Sequence, residues 1–97
     1  MFQKIRYTLV IDDSLEAGVW NTKGFFPGSI LSVEEKKYEL VFYDVVRIRQ
    51  EIESEVSENG FFIEKNLIVV SDINRSEMEK AVEFIVNSGQ YLTFVES

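Results

Sequence analysis

The apolar residues in the first half of the chain occur in short runs rich in β-branched and aromatic side chains, which are typical of strands. Residues 4–11 form the first run, which stops at Asp12 and Asp13. Residues 29–33 and 38–43 form two more, separated by the fully charged segment 34–37. The pattern predicts one strand followed by a β-hairpin.

The segment between the first strand and the hairpin, residues 14–28, shows no regular spacing of apolar positions. It contains three of the five glycines, the only proline and the only tryptophan. Glycine and proline are the strongest local signals of loops and turns. We therefore expect a long loop here, with a short extended piece around Val19 and Trp20.

Val45–Asn59 fits two periodicities. As a helix, it has Asp44 as N-cap and Gly60 at the left-handed position that ends many helices. As a strand, it alternates apolar and charged faces, and Asn59-Gly60 is a hairpin turn. The helical interpretation places four apolar residues on one stripe, namely Val45, Ile48, Ile52 and Val56.

Composition favours the helix, because Arg, Gln and Glu are good helix formers and poor strand formers. A strand would also have to bury Gln50 and Ser54. One feature opposes this interpretation: Arg47 and Arg49 lie near the start and the glutamates near the end, the reverse of what the helix dipole favours. The sequence predicts a helix over Val45–Asn59, with a long strand as the alternative.

The last third of the chain alternates strand and helix patterns. Residues 61–70 predict a central strand with a bulge or break at 64–66, and residues 91–95 predict a closing strand. Between them, helix-start signatures lie at Asn74 and Ser76, and a stop lies at residues 87–89. The apolar stripe of this helix comprises Met78, Ala81, Val82, Ile85 and Val86.

The order of elements is therefore β-ββ-α-β-α-β. Alternating strands and helices after a hairpin favour the α+β class. We expect one two-layer domain over residues 1–97, with a mixed β-sheet and both helices on one face.

Composition narrows the chemistry. The chain has no histidine and no cysteine, and its 17 acidic and 10 basic residues give a formal net charge of −7. Histidine and cysteine supply most catalytic groups near neutral pH and most ligands of zinc, haem and iron–sulfur sites. No spacing of the remaining carboxylates, lysines, tyrosines and hydroxyls identifies a reaction. We expect a protein that is not an enzyme and that binds no metal or cofactor.

Size and charge bear on partners and location. A second copy would add stability to so small a domain, so a homodimer is compatible with the sequence. The lack of cysteine suits a reducing compartment. Residues 1–6 lack the apolar segment of a signal peptide, and the longest apolar run, 67–70, is too short to cross a bilayer. The expected location is cytoplasmic, and acidic charge disfavours nucleic acid and membranes as partners.

Two groups of residues are candidates for binding a partner. Glu51, Glu53, Glu55 and Glu58 would form a docking surface for a basic protein, and the alternative is an ordinary solvated helix face. Phe25 and Phe26, with Trp20 nearby, would be an apolar anchor for that partner. The alternative is that these phenylalanines fold back as a lid on the core.

Acids and arginines at element ends are further candidates. Asp12-Asp13, Asp44 and Asp72 follow strands, where they would bind Mg²⁺ or Ca²⁺ or, more commonly, cap helices and turns. Three arginines lie near helix starts, where arginine and backbone N–H groups can hold an anion. They are Arg47, Arg49 and Arg75, and ion pairs from Arg47 to Glu51 and from Arg49 to Glu53 are the competing interpretation.

The sequence favours a non-enzymatic macromolecular interaction module, of the inhibitor, immunity-like or adaptor kind. Small size, acidic charge and missing catalytic groups support this hypothesis by analogy alone. The alternative is a small-molecule or anion-binding regulatory domain.

Overall fold

The protein is described by a computed structural model over residues 5–97. Its centre is a four-stranded sheet in the order β1-β2-β3-β4. The strands are β1 (Tyr7–Ile11), β2 (Phe25–Val33), β3 (Lys36–Asp44) and β4 (Leu67–Val70). Neighbours are antiparallel except β3 and β4, which are parallel, so the sheet is mixed.

The first strand and the hairpin are confirmed. β1 lies inside the predicted run, of which position 4 is outside the described residues. The hairpin turn is tighter than the charged segment suggested, because only Glu34 and Glu35 form it and Lys36 already pairs with Val33. Both glutamates have positive φ, 48° and 73°, as a type I′ turn requires.

The long loop predicted over residues 14–28 is wrong. Asp13–Ala17 is a 3-10 helix, Val19–Lys23 is a short helix, α1, and residues 25–28 belong to β2. Pro27 is tolerated inside β2 because the pairing register shifts between Phe26 and Ser29, which leaves that stretch without regular ladder hydrogen bonds. Glycine and proline therefore mark an irregular strand here rather than a loop.

Val45–Asn59 is a helix, α2, as composition predicted. The Asp44 carboxylate accepts a hydrogen bond from the backbone N–H of Arg47 at 2.7 Å and caps the first turn. At the other end, Gly60 has φ 85° and donates its backbone N–H to the Val56 carbonyl at 2.9 Å. Both sequence signals act as expected.

The strand predicted over residues 61–70 is shorter and lies elsewhere. Only Leu67–Val70 is a strand, and it forms an edge of the sheet rather than its centre. The predicted break is real, because Asn66 has φ 54°, a conformation that ends an extended run. The chain between α2 and Asn66 connects the end of the helix to β4, which runs parallel to β3.

The second predicted helix is confirmed as α3, Arg75–Ser88. Of the two start signatures, Asn74 is the cap, and its side-chain oxygen accepts from the Glu77 N–H at 2.9 Å. Met78, Val82, Ile85 and Val86 are buried and Ala81 is half-buried, as the stripe predicted.

The closing strand predicted at residues 91–95 is wrong. Gln90–Thr93 is a 3-10 helix that follows Gly89. Tyr91 is buried in it and packs edge-on against Tyr38, with ring centroids 6.2 Å apart. Burial of one tyrosine against the sheet therefore outweighs the strand propensity of the segment.

The class, α+β with a mixed sheet, is confirmed, but the two long helices do not share a face. Side chains alternate along β3, so Leu40 and Phe42 point to the larger core with α3. Val41 and Tyr43 point the other way and form a smaller core with Ile48 of α2. β3 and β4 are thus covered on both sides, because the parallel β3-α2-β4 connection places α2 on the face opposite α3.

Candidate functional site

The four predicted glutamates lie between the middle of α2 and its C-terminal end. Glu53 and Glu58 are exposed, whereas Glu51 and Glu55 are partly buried. Glu51 pairs with Arg47 at 2.8 Å, and Glu55 accepts from the Asn59 amide at 2.9 Å. No lysine or arginine occurs between Arg49 and Lys65, so negative charge dominates this part of the helix.

The apolar stripe of α2 is covered only at one point. Ile48 is buried, but Ile52 and Val56 are 42% and 45% exposed. A surface helix normally turns its apolar stripe to the core. The chain that follows α2 carries two more exposed apolar residues, since Phe61 and Ile63 are 60% and 84% exposed.

We call this region the α2 surface. It consists of four glutamates and four exposed apolar residues: Glu51, Glu53, Glu55, Glu58, Ile52, Val56, Phe61 and Ile63. The glutamates were identified from the sequence, and Ile52 and Val56 were placed on one apolar stripe, but periodicity alone does not show whether such a stripe is covered.

The first half of α2 is fixed to the sheet through Arg47. Its guanidinium lies 4.8 Å from the centroid of the Phe25 ring and also donates to the Lys23 carbonyl at 3.3 Å. Phe25 stacks on Tyr43 with centroids 6.0 Å apart. Tyr43 donates its hydroxyl to Glu64 at 2.8 Å, and burial together with this carboxylate raises the pKa of the tyrosine. These contacts fix the start of α2 against β2 and β3.

Glycine is required where α1 meets α2. Gly24 is buried with φ 76°, and its carbonyl accepts from the Asp44 N–H at 2.8 Å. A Cβ at this position would lie 2.8 Å from both the Asp44 carboxylate and the Arg47 Cβ. The closeness of these backbones places the capped start of α2 against α1.

The aromatic residues proposed as an anchor pack against one another. Phe26 is fully buried in the larger core, so its prediction as an exposed anchor is wrong and the alternative, a lid on the core, is what the structure has. Trp20 packs edge-on against Phe26 and Phe25, with centroids 5.4 and 5.3 Å away. Trp20 and Phe25 are half-buried, and they lie beside the fixed start of α2 rather than on the α2 surface.

The acids at strand ends act as caps and turn residues. Asp12 accepts from the backbone N–H of Ser14 at 2.8 Å, and this bond lowers the pKa of the carboxyl group. Asp72 accepts from the Asn21 amide at 2.6 Å and from Asn74 at 2.9 Å. Within residues 5–97, no three or more acidic side chains are grouped in a way that could hold a metal ion.

Two of the three arginines near helix starts are paired with carboxylates. Besides the Arg47 pair, Arg75 donates through Nε and Nη2 to Glu16 at 3.0 and 2.8 Å, and this hydrogen bond raises the pKa of the guanidinium. Among the described residues, Arg49 forms no ion pair, so the predicted Arg49 to Glu53 pair is absent there. The anion-binding interpretation receives no support from this geometry.

Comparison with known proteins finds no family model, no curated protein and no solved structure that matches this chain. Across the part of the chain that the structure describes, no helix is both long enough and apolar enough to span a bilayer. The α2 surface therefore has to be interpreted from its own chemistry.

Proposed function

We propose that this protein is a non-enzymatic interaction module that binds a protein partner with a basic surface through the α2 surface. The observation that carries the proposal is the exposure of Ile52 and Val56 on a helix whose stripe should be covered. Exposed apolar residues rimmed by polar ones are characteristic of binding sites for other proteins.

The charges around the apolar stripe of α2 indicate the kind of partner that would bind. Five acids and no base lie between Arg49 and Lys65, so acidic side chains predominate in this part of the chain. A partner with a similar acidic surface would be repelled, whereas lysine and arginine around an apolar patch would be attracted. An amphipathic basic helix, or a protein that presents one, has the required combination of features.

The two kinds of residue have separable roles. Exposed charges act mainly on the association rate and its salt dependence, because they steer diffusion over about a Debye length. Apolar side chains in the centre of an interface act mainly on dissociation, because their contacts form only after docking. In the α2 surface, we expect Glu53 and Glu58 to set the association rate and its salt dependence. We expect Ile52 and Val56 to set the dissociation rate.

The proposal can be tested with a synthetic helical peptide of leucine and lysine as probe, and a leucine and glutamate peptide of equal length as comparison. We expect only the basic peptide to bind. Replacing the four α2 glutamates by glutamine should slow association about tenfold and flatten its salt dependence. Val56→Ser should instead speed dissociation about tenfold. Stopped-flow fluorescence or biolayer interferometry measures both rates.

A matched control separates local docking from overall charge. Glu34, Glu35, Glu79 and Glu83 are exposed and lie outside α2, so their replacement by glutamine gives the same net charge as the α2 variant. Equal slowing in both variants would mean that the peptide responds only to net charge. Equal binding of the acidic peptide, or unchanged kinetics in the Val56→Ser variant, would also contradict the proposal.

A further inference from the structure

β1 is an edge strand without the features that usually protect an edge. Within residues 5–97, it pairs with β2 on one side and with no strand on the other. Its sequence, Tyr-Thr-Leu-Val-Ile, has high strand propensity and contains no lysine, no proline and no bulge. Natural proteins avoid such edges because they present unpaired backbone groups to other strands. β4, at the opposite edge, is one residue shorter.

The hydrogen bonds to β2 show which backbone groups of β1 face outward. Asp12 donates its backbone N–H to the Gly28 carbonyl at 2.9 Å, so the backbone groups of Asp12 point toward β2. Backbone groups alternate along a strand, and therefore Thr8 and Val10 also point to β2. The N–H and C=O groups of Tyr7, Leu9 and Ile11 point to the free edge.

We infer that this edge pairs with the β1 edge of a second copy of the same chain, antiparallel and centred on Leu9. In this register Leu9 faces Leu9 of the partner copy and Tyr7 faces its Ile11. Each outward N–H then meets an outward C=O, so every edge group of both strands is satisfied. The arrangement is a closed two-fold dimer with a continuous sheet, because the same surface serves both copies. The inference is independent of the proposed function of α2.

Charge complementarity supports a second copy as the occupant. With Leu9 opposite Leu9, Arg6 of each chain falls opposite Asp12 of the partner copy. The two positions flank β1, both residues are exposed, and Arg6 forms no ion pair among the described residues. Opposite charges facing each other across strands are stabilising. The chain carries a net charge of −7, yet the strand that would join the copies is flanked by one residue of each sign.

The surroundings of the edge are compatible with a neighbour. On the side opposite α3, Val10 is 56% exposed beside Ile30, with which it is paired in register, so apolar surface is open to cover. On the α3 side, the groove along β1 is lined by two bases and two acids, Arg75, Lys80, Glu79 and Glu83. The two bases and the two acids on this side of β1 balance each other. A second copy at the edge therefore adds no excess of like charge there.

Two measurements on the unmodified protein test the pairing. Sedimentation equilibrium should show a monomer–dimer equilibrium. Amide hydrogen exchange should show protection of Tyr7, Leu9 and Ile11 that increases at least about tenfold between dilute and concentrated samples, because these N–H groups are bonded only in the dimer. Thr8 and Val10 should be protected in both. Association that is still undetectable at about 1 mM is too weak to count as specific pairing. The inference would be overturned if the protein stayed monomeric at every concentration up to that value.

Charge reversal tests the register. Arg6→Asp and Asp12→Lys each place like charges opposite each other twice per dimer, so each variant should dimerise at least about tenfold more weakly. Mixing the two variants restores both opposite-charge pairs and should restore the dimer. Circular dichroism checks that each variant is folded. A dimer unaffected by either variant, or equally weak in the mixture, would overturn this register.

The α2 glutamate variant is the control for an alternative interface. If copies associate through α2, replacing its glutamates should change the dimer constant and leave exchange at Leu9 independent of concentration. If they associate through β1, the same variant should leave the concentration-dependent protection of Leu9 in place, and the dimer constant unchanged at high salt, where the difference in net charge is screened. Slower peptide association in that variant, with the dimer intact, would show that the two surfaces are separate.

Discussion

Phe26→Ala is expected to lower the free energy of unfolding by about 3–5 kcal/mol, a large part of the stability of a small domain. The side chain is fully buried and packs against Trp20. A Cβ on Gly28 would lie 2.9 Å from the tip of the ring, so the backbone is already close around it. Removal leaves a cavity that rigid neighbouring strands cannot close. Urea denaturation followed by tryptophan fluorescence measures the loss.

Phe25→Ala is the matched control, because it removes the same side chain from the adjacent position. Phe25 is half-buried against the smaller core and beneath Arg47. We expect a loss of about 1–2 kcal/mol, in proportion to the smaller area removed from water. If Phe26→Ala had an equal or smaller effect than Phe25→Ala, the assignment of Phe26 to the core would be incorrect.

Asn66→Ala is expected to cost about 2–4 kcal/mol, because it leaves several partly buried backbone groups without partners. The Asn66 amide donates to the Glu39 carbonyl at 3.0 Å and to the Val95 carbonyl at 2.8 Å. Its side-chain oxygen accepts from the Val95 N–H at 2.8 Å. One side chain thus joins β3 to the C-terminal segment, and the loss should appear in thermal or urea denaturation.

Asn66→Gly separates the two contributions of this residue. Asn66 has φ 54°, a left-handed conformation. Adopting it destabilises an alanine by about 1 kcal/mol or more and a glycine by almost nothing. The glycine variant should therefore be more stable than the alanine variant and less stable than the unmodified protein. In both variants the Val95 amide should exchange faster. Equal stability of the glycine variant and the unmodified protein would mean that the side-chain hydrogen bonds contribute nothing.

Local signals were sufficient for the hairpin and the two long helices. Asp44 and Gly60 bound α2, and Asn74 caps α3, because capping depends on residues within one turn of the helix end. The same local reasoning failed for residues 14–28 and 91–95. There the conformation is set by burial of Trp20, Phe26 and Tyr91 against distant parts of the sheet.

The sequence carries a signal for the arrangement of the two long helices. Leu40, Val41, Phe42 and Tyr43 are consecutive apolar residues, and all four are buried. A continuous apolar strand is typical of a sheet covered on both faces. Such a run would have placed the two helices on opposite sides of β3, as the structure does.

The candidate site was predicted in part. The glutamates were identified because charge is visible in the sequence, and their position on α2 follows from the confirmed helix. Which phenylalanine is buried was not predictable, because Phe25 and Phe26 are adjacent and identical. Strand alternation turns one to each face, and only the bulge after Phe26 and the position of α3 decide which face holds the larger core.

The sequence by itself determined the class of fold, the bounds of the long helices, the acidic charge and the lack of histidine and cysteine. These depend on residue chemistry and on neighbours within a few positions. The tertiary structure alone decided that α2 keeps most of its apolar stripe exposed and that β1 is left at an unprotected edge. Both depend on which surfaces the packed elements fail to cover, and that is a property of the whole arrangement rather than of any segment.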